Sequence, residues 1–271
     1  MTGQTTSRTT GAGPGRPSTN APGTPAALAA HALGWTVGGA TIVTDITLQV
    51  RRGELLAVIG PNGAGKSTLL HLLSGVRRPT VGRVELEGRD VTRTSPAARA
   101  RLGLGRTFQT SSLFDGLSAE ENVRLAVQSR RRWPLNPFRA AASAGDRAEC
   151  LALLERVGMA DRVGSAAGAL SHGDRRKLEI AVALARHPRV LLLDEPMAGV
   201  SVEDVAGLVD LIGGLRSEGS SVCMVEHHMD VVLGLADRVA VLHHGALLGV
   251  GSPAEVTADP TVQQAYLGEQ L

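Results

Sequence analysis

The run Gly60-Pro61-Asn62-Gly63-Ala64-Gly65-Lys66-Ser67 has the composition of a phosphate cradle: a glycine, four residues, a second glycine, then lysine and a hydroxyl residue. Glycines at this spacing let successive backbone N–H groups turn inward around the oxygens of α- and β-phosphates. A helix opening just behind them adds the positive end of its dipole. A lysine in the seventh place reaches the β- and γ-phosphates, and the Ser67 hydroxyl is of the type that ligates Mg2+. Lys66 is one of only two lysines in the chain, so its placement is informative. A second group stands at Asp194 and Glu195, two acids that end the apolar run Val190-Leu191-Leu192-Leu193. An acid leaving a buried strand at its carboxyl end is placed to hold Mg2+ through water. The acid after it is placed to polarise a water against the γ-phosphate. A glycine-rich turn, or an acidic pair capping a helix, would explain either group alone. Together they predict binding of a nucleoside triphosphate with Mg2+.

These side chains need strands to launch them and helices to receive the chain. Residues 54–59 read as a continuous apolar strand before the glycine loop, with an amphipathic helix over 66–73 after it. Upstream, residues 33–50 alternate apolar and polar types, as strands of an antiparallel sheet do. Residues 83–86 read as a further strand and Gly88-Arg89-Asp90 as a turn. Over 118–163 the period becomes helical, interrupted by the basic and proline-bearing stretch from Arg130-Arg131-Arg132 to Pro137. Beyond it, strands over 189–194, 222–226 and 239–242 alternate with helices over 175–186, 202–217 and 229–236. Such alternation predicts an α/β fold with a largely parallel sheet covered by helices on both faces. The expected division is a disordered tail over 1–25 and one domain over 26–271, with a helical insertion over 110–169 and a C-terminal extension over 253–271.

Composition narrows the function. The 271 residues carry 28 Lys+Arg against 26 Asp+Glu, a formal charge of +2, and only 3 Phe, 2 Trp and 1 Tyr. That is neither the basic footprint nor the stacking platform of a nucleic-acid binder, so no nucleic-acid partner is expected. Cys150 and Cys223 match no metal or redox spacing, as befits a reduced compartment. No apolar stretch is long enough for a membrane span, and the first residues lack the apolar centre of a signal peptide. A membrane role would therefore come through partners.

The order of phosphate loop, Gln109, Leu170-Ser171-His172-Gly173-Asp174, Leu193-Asp194-Glu195-Pro196 and Glu226-His227 resembles the ATP-binding subunit of an ABC transporter, over nearly the whole chain from about residue 26. More narrowly, Gly105-Arg106-Thr107-Phe108-Gln109, Leu113-Phe114, Glu121-Asn122-Val123, Lys177-Leu178-Glu179-Ile180-Ala181 and Ala265-Tyr266-Leu267-Gly268-Glu269 are similar to the ATPases of branched-chain amino acid importers. Leu170-Ser171-His172-Gly173 is also similar to urea-importer ATPases. The resemblance implies a P-loop (RecA-like) core with an antiparallel β subdomain and a helical insertion. It implies two ATPase copies, the same or similar, facing head to tail over two ATP molecules. Residues 60–67 and Thr68 would bind nucleotide, as would Gln109, Ser171 and Gly173. Ser67, Gln109 and Asp194 would serve Mg2+, while Glu195, His227 and Lys66 would be catalytic. Two transmembrane permease subunits are implied, with an extracytoplasmic solute-binding protein acting indirectly and the ATPase held peripherally at the cytoplasmic face of the membrane.

Several positions depart from the family pattern. His172 and Asp174 stand where glycine and glutamine are usual, and an acid beside a phosphate must point away or meet a cation such as Arg175 or Arg176. Ala198-Gly199-Val200-Ser201 lacks the usual bridging aspartate. The place of the adenine-stacking aromatic falls on Val37, with Trp35 two residues earlier on the same strand face. His228, His243 and His244 form no metal site by spacing. Arg130-Arg131-Arg132 reads as a solvated loop in preference to a lipid contact, and Leu113, Phe114 and Leu117 fit either the core or a groove facing the transporter. Against the importer reading stand a soluble ABC-type switch acting on a non-transport partner, and a module that binds ATP but barely turns it over.

Overall fold

The computed structural model describes residues 26–107, 113–130 and 144–267. Two sheets organise them. The strands β1 (Ala26–Val37), β2 (Ala40–Arg51), β3 (Leu55–Ile59), β4 (Val81–Leu86), β5 (Arg89–Asp90) and β6 (Leu104–Arg106) come before the insertion. After it come β7 (Val190–Asp194), β8 (Ser221–Val225), β9 (Arg238–His243) and β10 (Ala246–Gly251). The first sheet is antiparallel, in the order β2-β1-β4-β5. The second runs β10-β9-β3-β8-β7-β6, and its members are parallel except for β10 against β9.

Every residue of β3, β7 and β8 is buried. Near-continuous apolar runs are what a parallel strand covered on both faces requires. Successive side chains leave a strand on opposite faces, and the cores divide accordingly. Leu56, Val58, Leu192, Cys223 and Val225 pack toward the antiparallel sheet and the helix α1 (Lys66–Ser74), meeting Leu28, Leu33, Ile46, Leu69 and Leu70. Leu55, Leu191, Leu193, Val222 and Met224 face the other way. There they join residues of α3 (Ala119–Ser129), α4 (Ala144–Arg156), α5 (His172–Leu184) and α6 (Val202–Ser217) in one continuous cluster. The inserted helices thus share a core with the strands that launch Asp194. Both cysteines are buried, and burial pushes the Cys223 thiol up to about 12 and that of Cys150 up to about 11, which suits incidental thiols.

The C-terminal end of α1 is tied down by a buried arginine. Arg99, in α2 (Pro96–Arg101), is fully buried and donates from Nη1 to the carbonyls of Leu72 (2.7 Å) and Leu73 (2.6 Å). Burial lowers its pKa to about 10, still well above physiological pH. A guanidinium there satisfies end-of-helix carbonyls and meets the negative end of the dipole. Gly75 closes the helix in a left-handed conformation, and a Cβ on it would lie 2.7 Å from Arg99 Nε.

Some expectations shift. Arg89 and Asp90 form a short strand against Leu86 and Glu85, with the turn moved back onto residues 87–88. Helix α5 begins at His172, three residues earlier than its periodicity indicates, because Ser171 caps it. Arg130, expected in a solvated loop, donates from Nη2 to both oxygens of Glu149, at 2.6 and 2.5 Å, and so joins α3 to α4. Leu113 packs against the core, whereas Phe114 is 60% exposed. The tail over 1–25, Arg131 and Arg132 lie outside the described residues.

Candidate functional site

The glycine loop leaves the end of β3 through geometry that only glycine serves. Gly60 has φ +154°, and a Cβ on it would stand 2.2 Å from the Leu242 carbonyl oxygen of β9. Gly63 and Gly65 have φ of +82° and +97°, in the left-handed region that side chains disfavour. The loop is pinned by Ala64 N–H to Pro61 O (3.2 Å) and by Gly245 N–H to Ala64 O (3.1 Å). Helix α1 then opens with no side-chain cap and no acid in its first turn. Its first N–H groups are left to an anion, with the positive dipole end behind them. Lys66 is buried, and its Nζ donates to Gly60 O (2.6 Å) and Pro61 O (2.9 Å), so the ammonium lies folded against the loop.

Asp194 ends β7 at 1% exposure. Its Oδ2 accepts from Arg106 Nη2 at 3.2 Å, while Oδ1, among the described residues, has no hydrogen-bond partner. An orphaned buried carboxylate oxygen beside a phosphate loop fits a metal's water shell. Arg106 also donates from Nη1 to the hydroxyl of Ser74, the last residue of α1, at 2.6 Å. Burial is the main influence on its guanidinium and lowers its pKa, against the pull of Asp194. Burial, and after it the charge of Arg106, also lowers the pKa of His71 on α1. Next comes Glu195, half-buried, with φ +46° and its N–H donating to Val225 O at 3.0 Å. A left-handed non-glycine residue costs about 1–3 kcal/mol and persists where the surroundings over-determine it.

Glu226 ties this segment to the end of β8. Fully buried, it accepts the Met197 N–H on Oε1 (3.1 Å) and the His227 N–H on Oε2 (2.7 Å). The imidazoles of His227 and His228 approach the same Oε2 through Nδ1, at 3.5 and 3.2 Å. These three residues are a group of potential ligands within 4.8 Å of one another. The two rings stack at 4.2 Å with a 36° tilt. The His227 side chain is 55% exposed, free to meet a ligand in front of the strand ends.

Since β3, β8 and β7 are parallel neighbours, the loop, His227 and the Asp194–Glu195 pair emerge at one edge of the sheet. Ser171 and Gly173 are carried instead at the start of α5. The exposed Ser171 accepts the Asp174 N–H on Oγ (3.1 Å), and a Cβ on Gly173 would stand 2.5 Å from Asp204 Oδ2. Asp174 does not meet Arg175 or Arg176. It lies 3.6 Å from Lys177 and 4.0 Å from Arg162, because Arg175 reaches Asp115 and Arg176 reaches Glu179. Trp35 packs on the core with the Arg77 guanidinium 4.5 Å from its ring centroid, so one ring face is covered. Gln109 lies outside the described residues. Sequence reasoning assigned no role to Arg106 or to the Glu226 carboxylate. Each is recognisable only once β6 is paired to β7 and the end of β8 is placed beside Met197.

Comparison with known proteins points the same way. Residues 43–198 match the family model described as ABC transporter, and residues 247–271 match one described as branched-chain amino acid ATP-binding cassette transporter. A probable ABC transporter ATP-binding protein of Azorhizobium caulinodans is 40% identical over 90% of this chain and 84% of its own length. The high-affinity branched-chain amino acid transport ATP-binding protein LivG of Salmonella typhimurium is 36% identical over 89% of this chain and 98% of its own. The lipopolysaccharide export system ATP-binding protein LptB of Acidithiobacillus ferridurans is 39% identical over 85% and 92%. Among solved structures, an ATP-binding cassette of an ABC transporter in its ADP conformation superposes with a TM-score of 0.81. It is 28% identical, over 90% of this chain and all of that one.

Proposed function

The chain belongs to the ATP-binding, ATP-hydrolysing subunits of ABC transporters, and from that footing we propose that it energises uptake of branched-chain amino acids. The observation that carries the solute class is the C-terminal match over residues 247–271. The export relative is about as similar over the shared core, so the core by itself does not separate uptake from export. Urea or short-amide uptake is the second reading, on the similarity of Leu170-Ser171-His172-Gly173.

In this account the loop amides and Lys66 take the phosphates, the ammonium exchanging its bonds to Gly60 and Pro61 for phosphate oxygens. The Ser67 hydroxyl and Asp194, through its uncommitted Oδ1, would hold Mg2+, with Gln109 completing the set by resemblance. Bound there, the metal would neutralise charge on the β- and γ-phosphate oxygens. Glu195 would orient and polarise the attacking water, and its strained backbone is consistent with a carboxylate fixed for that purpose. His227 would contact the γ-phosphate, braced by Glu226. Ser171 and Gly173 of one copy would close over ATP held by another, and the exposure of Ser171 at a helix N-terminus suits that contact.

Two transmembrane permeases would dock on this subunit. A groove of about 380 Å3 between the core and the inserted helices, where Val76, Ala97 and Val182 stand beside Arg106, Glu179 and Arg186, is a place for such a partner to dock. Among the described residues no helix is long and apolar enough to cross a membrane. On the family resemblance, the proposal puts the subunit at the cytoplasmic face, with a second ATPase beside it, a solute-binding protein acting through the permeases, and no nucleic acid.

The test is a pull-down from native membranes with mass spectrometry. The reading expects two multi-span subunits encoded with a binding protein that takes branched-chain amino acids. Recovery of soluble partners alone would overturn the transport role in favour of a soluble switch.

A further inference from the structure

Arg106 closes β6 opposite Leu192 of β7, two residues short of Asp194. Its guanidinium joins three points: Nη2 to Asp194 Oδ2 (3.2 Å), Nη1 to Ser74 Oγ (2.6 Å) and Nε to its neighbour's carbonyl, Thr107 O (3.3 Å). Both partners of the ion pair are almost wholly buried, with 6% and 2% of their side chains exposed. A carboxylate this far from water must be paired, protonated or bound to a metal. Here one oxygen is paired with the arginine and the other has no partner among the described residues. The nucleotide reaction brings a second cation to the same carboxylate.

We propose that Arg106 is a positioning residue for that metal: it clamps Asp194 through Oδ2, leaves Oδ1 for the metal's water shell, and by its own charge holds the metal affinity down. The inference rests on the ATPase reading above. The link to Ser74 makes the clamp part of α1, so loop, helix and carboxylate stand in fixed relation before nucleotide arrives. Each of the three guanidinium nitrogens makes a hydrogen bond within the protein, which is the use to which a planar guanidinium is suited and an ammonium is not.

The experiment measures Mn2+ binding, by electron paramagnetic resonance, to the full-length protein carrying a non-hydrolysable ATP analogue. Arg106→Met should bind Mn2+ roughly tenfold more tightly than the parent, as removal of a nearby unit charge in a partly screened site implies. Arg106→Lys, which keeps the charge, should stay near the parent affinity. Should Arg106→Met fail to fold, Arg106→Gln is read by the same criterion. Unchanged or weaker Mn2+ binding in the uncharged variant, or an equal gain in Arg106→Lys, overturns the inference. Binding of a fluorescent ATP analogue in EDTA separates the two levels. Normal nucleotide binding with unaltered metal affinity sinks the Arg106 proposal alone, whereas no nucleotide binding by the parent sinks the site reading and this inference with it.

Discussion

Glu195 is the residue on which hydrolysis turns in this account. It follows a fully buried strand, sits at φ +46°, and is half-buried where Asp194 is not. Glu195→Gln keeps size and shape but removes the basic carboxylate, so ATP affinity should hold while turnover falls about 10²–10⁴-fold, the usual contribution of such a group. Steady-state hydrolysis beside equilibrium ATP binding checks this, and unchanged turnover would remove Glu195 from the reaction. The phosphate loop and the acidic pair were legible because their residue types sit at fixed spacing along the chain. Arg106 and the carboxylate of Glu226 were not, because their meaning comes from tertiary neighbours: Asp194 is 88 positions from Arg106, and Met197 is 29 from Glu226.

At the scale of elements, helix α3 is fastened by a cap as well as by packing. Ser118 accepts the Glu121 N–H at 3.2 Å while Glu121 accepts from the Ser118 N–H and hydroxyl at 2.8 and 2.9 Å, a reciprocal box at the start of α3. Ser118→Ala should destabilise the fold by about 1 kcal/mol, read as a lower urea midpoint. Hydrogen bonds from the Ser118 N–H and then its hydroxyl hold the Glu121 carboxyl below its ordinary value. The box's stabilisation is therefore present above the ordinary glutamate range and is lost as pH falls through the lowered folded-state value. The gap between parent and Ser118→Ala should narrow in acid, and a constant gap from pH 7 to below 4 would contradict the ionic part of the cap. The box could be read from Ser118 and Glu121 by spacing alone. Short elements could not: β6 with three residues, β5 with two and α2 with six are too brief to show a period.

Across the molecule, the long apolar runs announced the parallel sheet, and their one-residue alternation divides its strands between separate cores: Leu56 and Val58 of β3 enter one, Leu55 a second, and Ala57 and Ile59 a third. What the runs did not announce was the far edge. Strand β10 turns back on β9, and two short helices, Pro253–Ala258 and Pro260–Leu267, follow it within the stretch over 253–271 that the sequence marked only as an extension. The residues of β10 alternate weakly and are mostly half-exposed, so no strand period stands out. At this scale the protein has one edge of strand ends carrying the loop, Asp194, Glu195 and His227, and a separate helix start carrying Ser171 and Gly173. That separation is what a head-to-tail pair of copies would resolve, each supplying what the other's nucleotide lacks. The most direct measurement is the solution mass of Glu195→Gln by light scattering, with Mg2+-ATP and with Mg2+-ADP. The account predicts a dimer with ATP and a monomer with ADP. A monomer under both conditions, with ATP demonstrably bound, would contradict it.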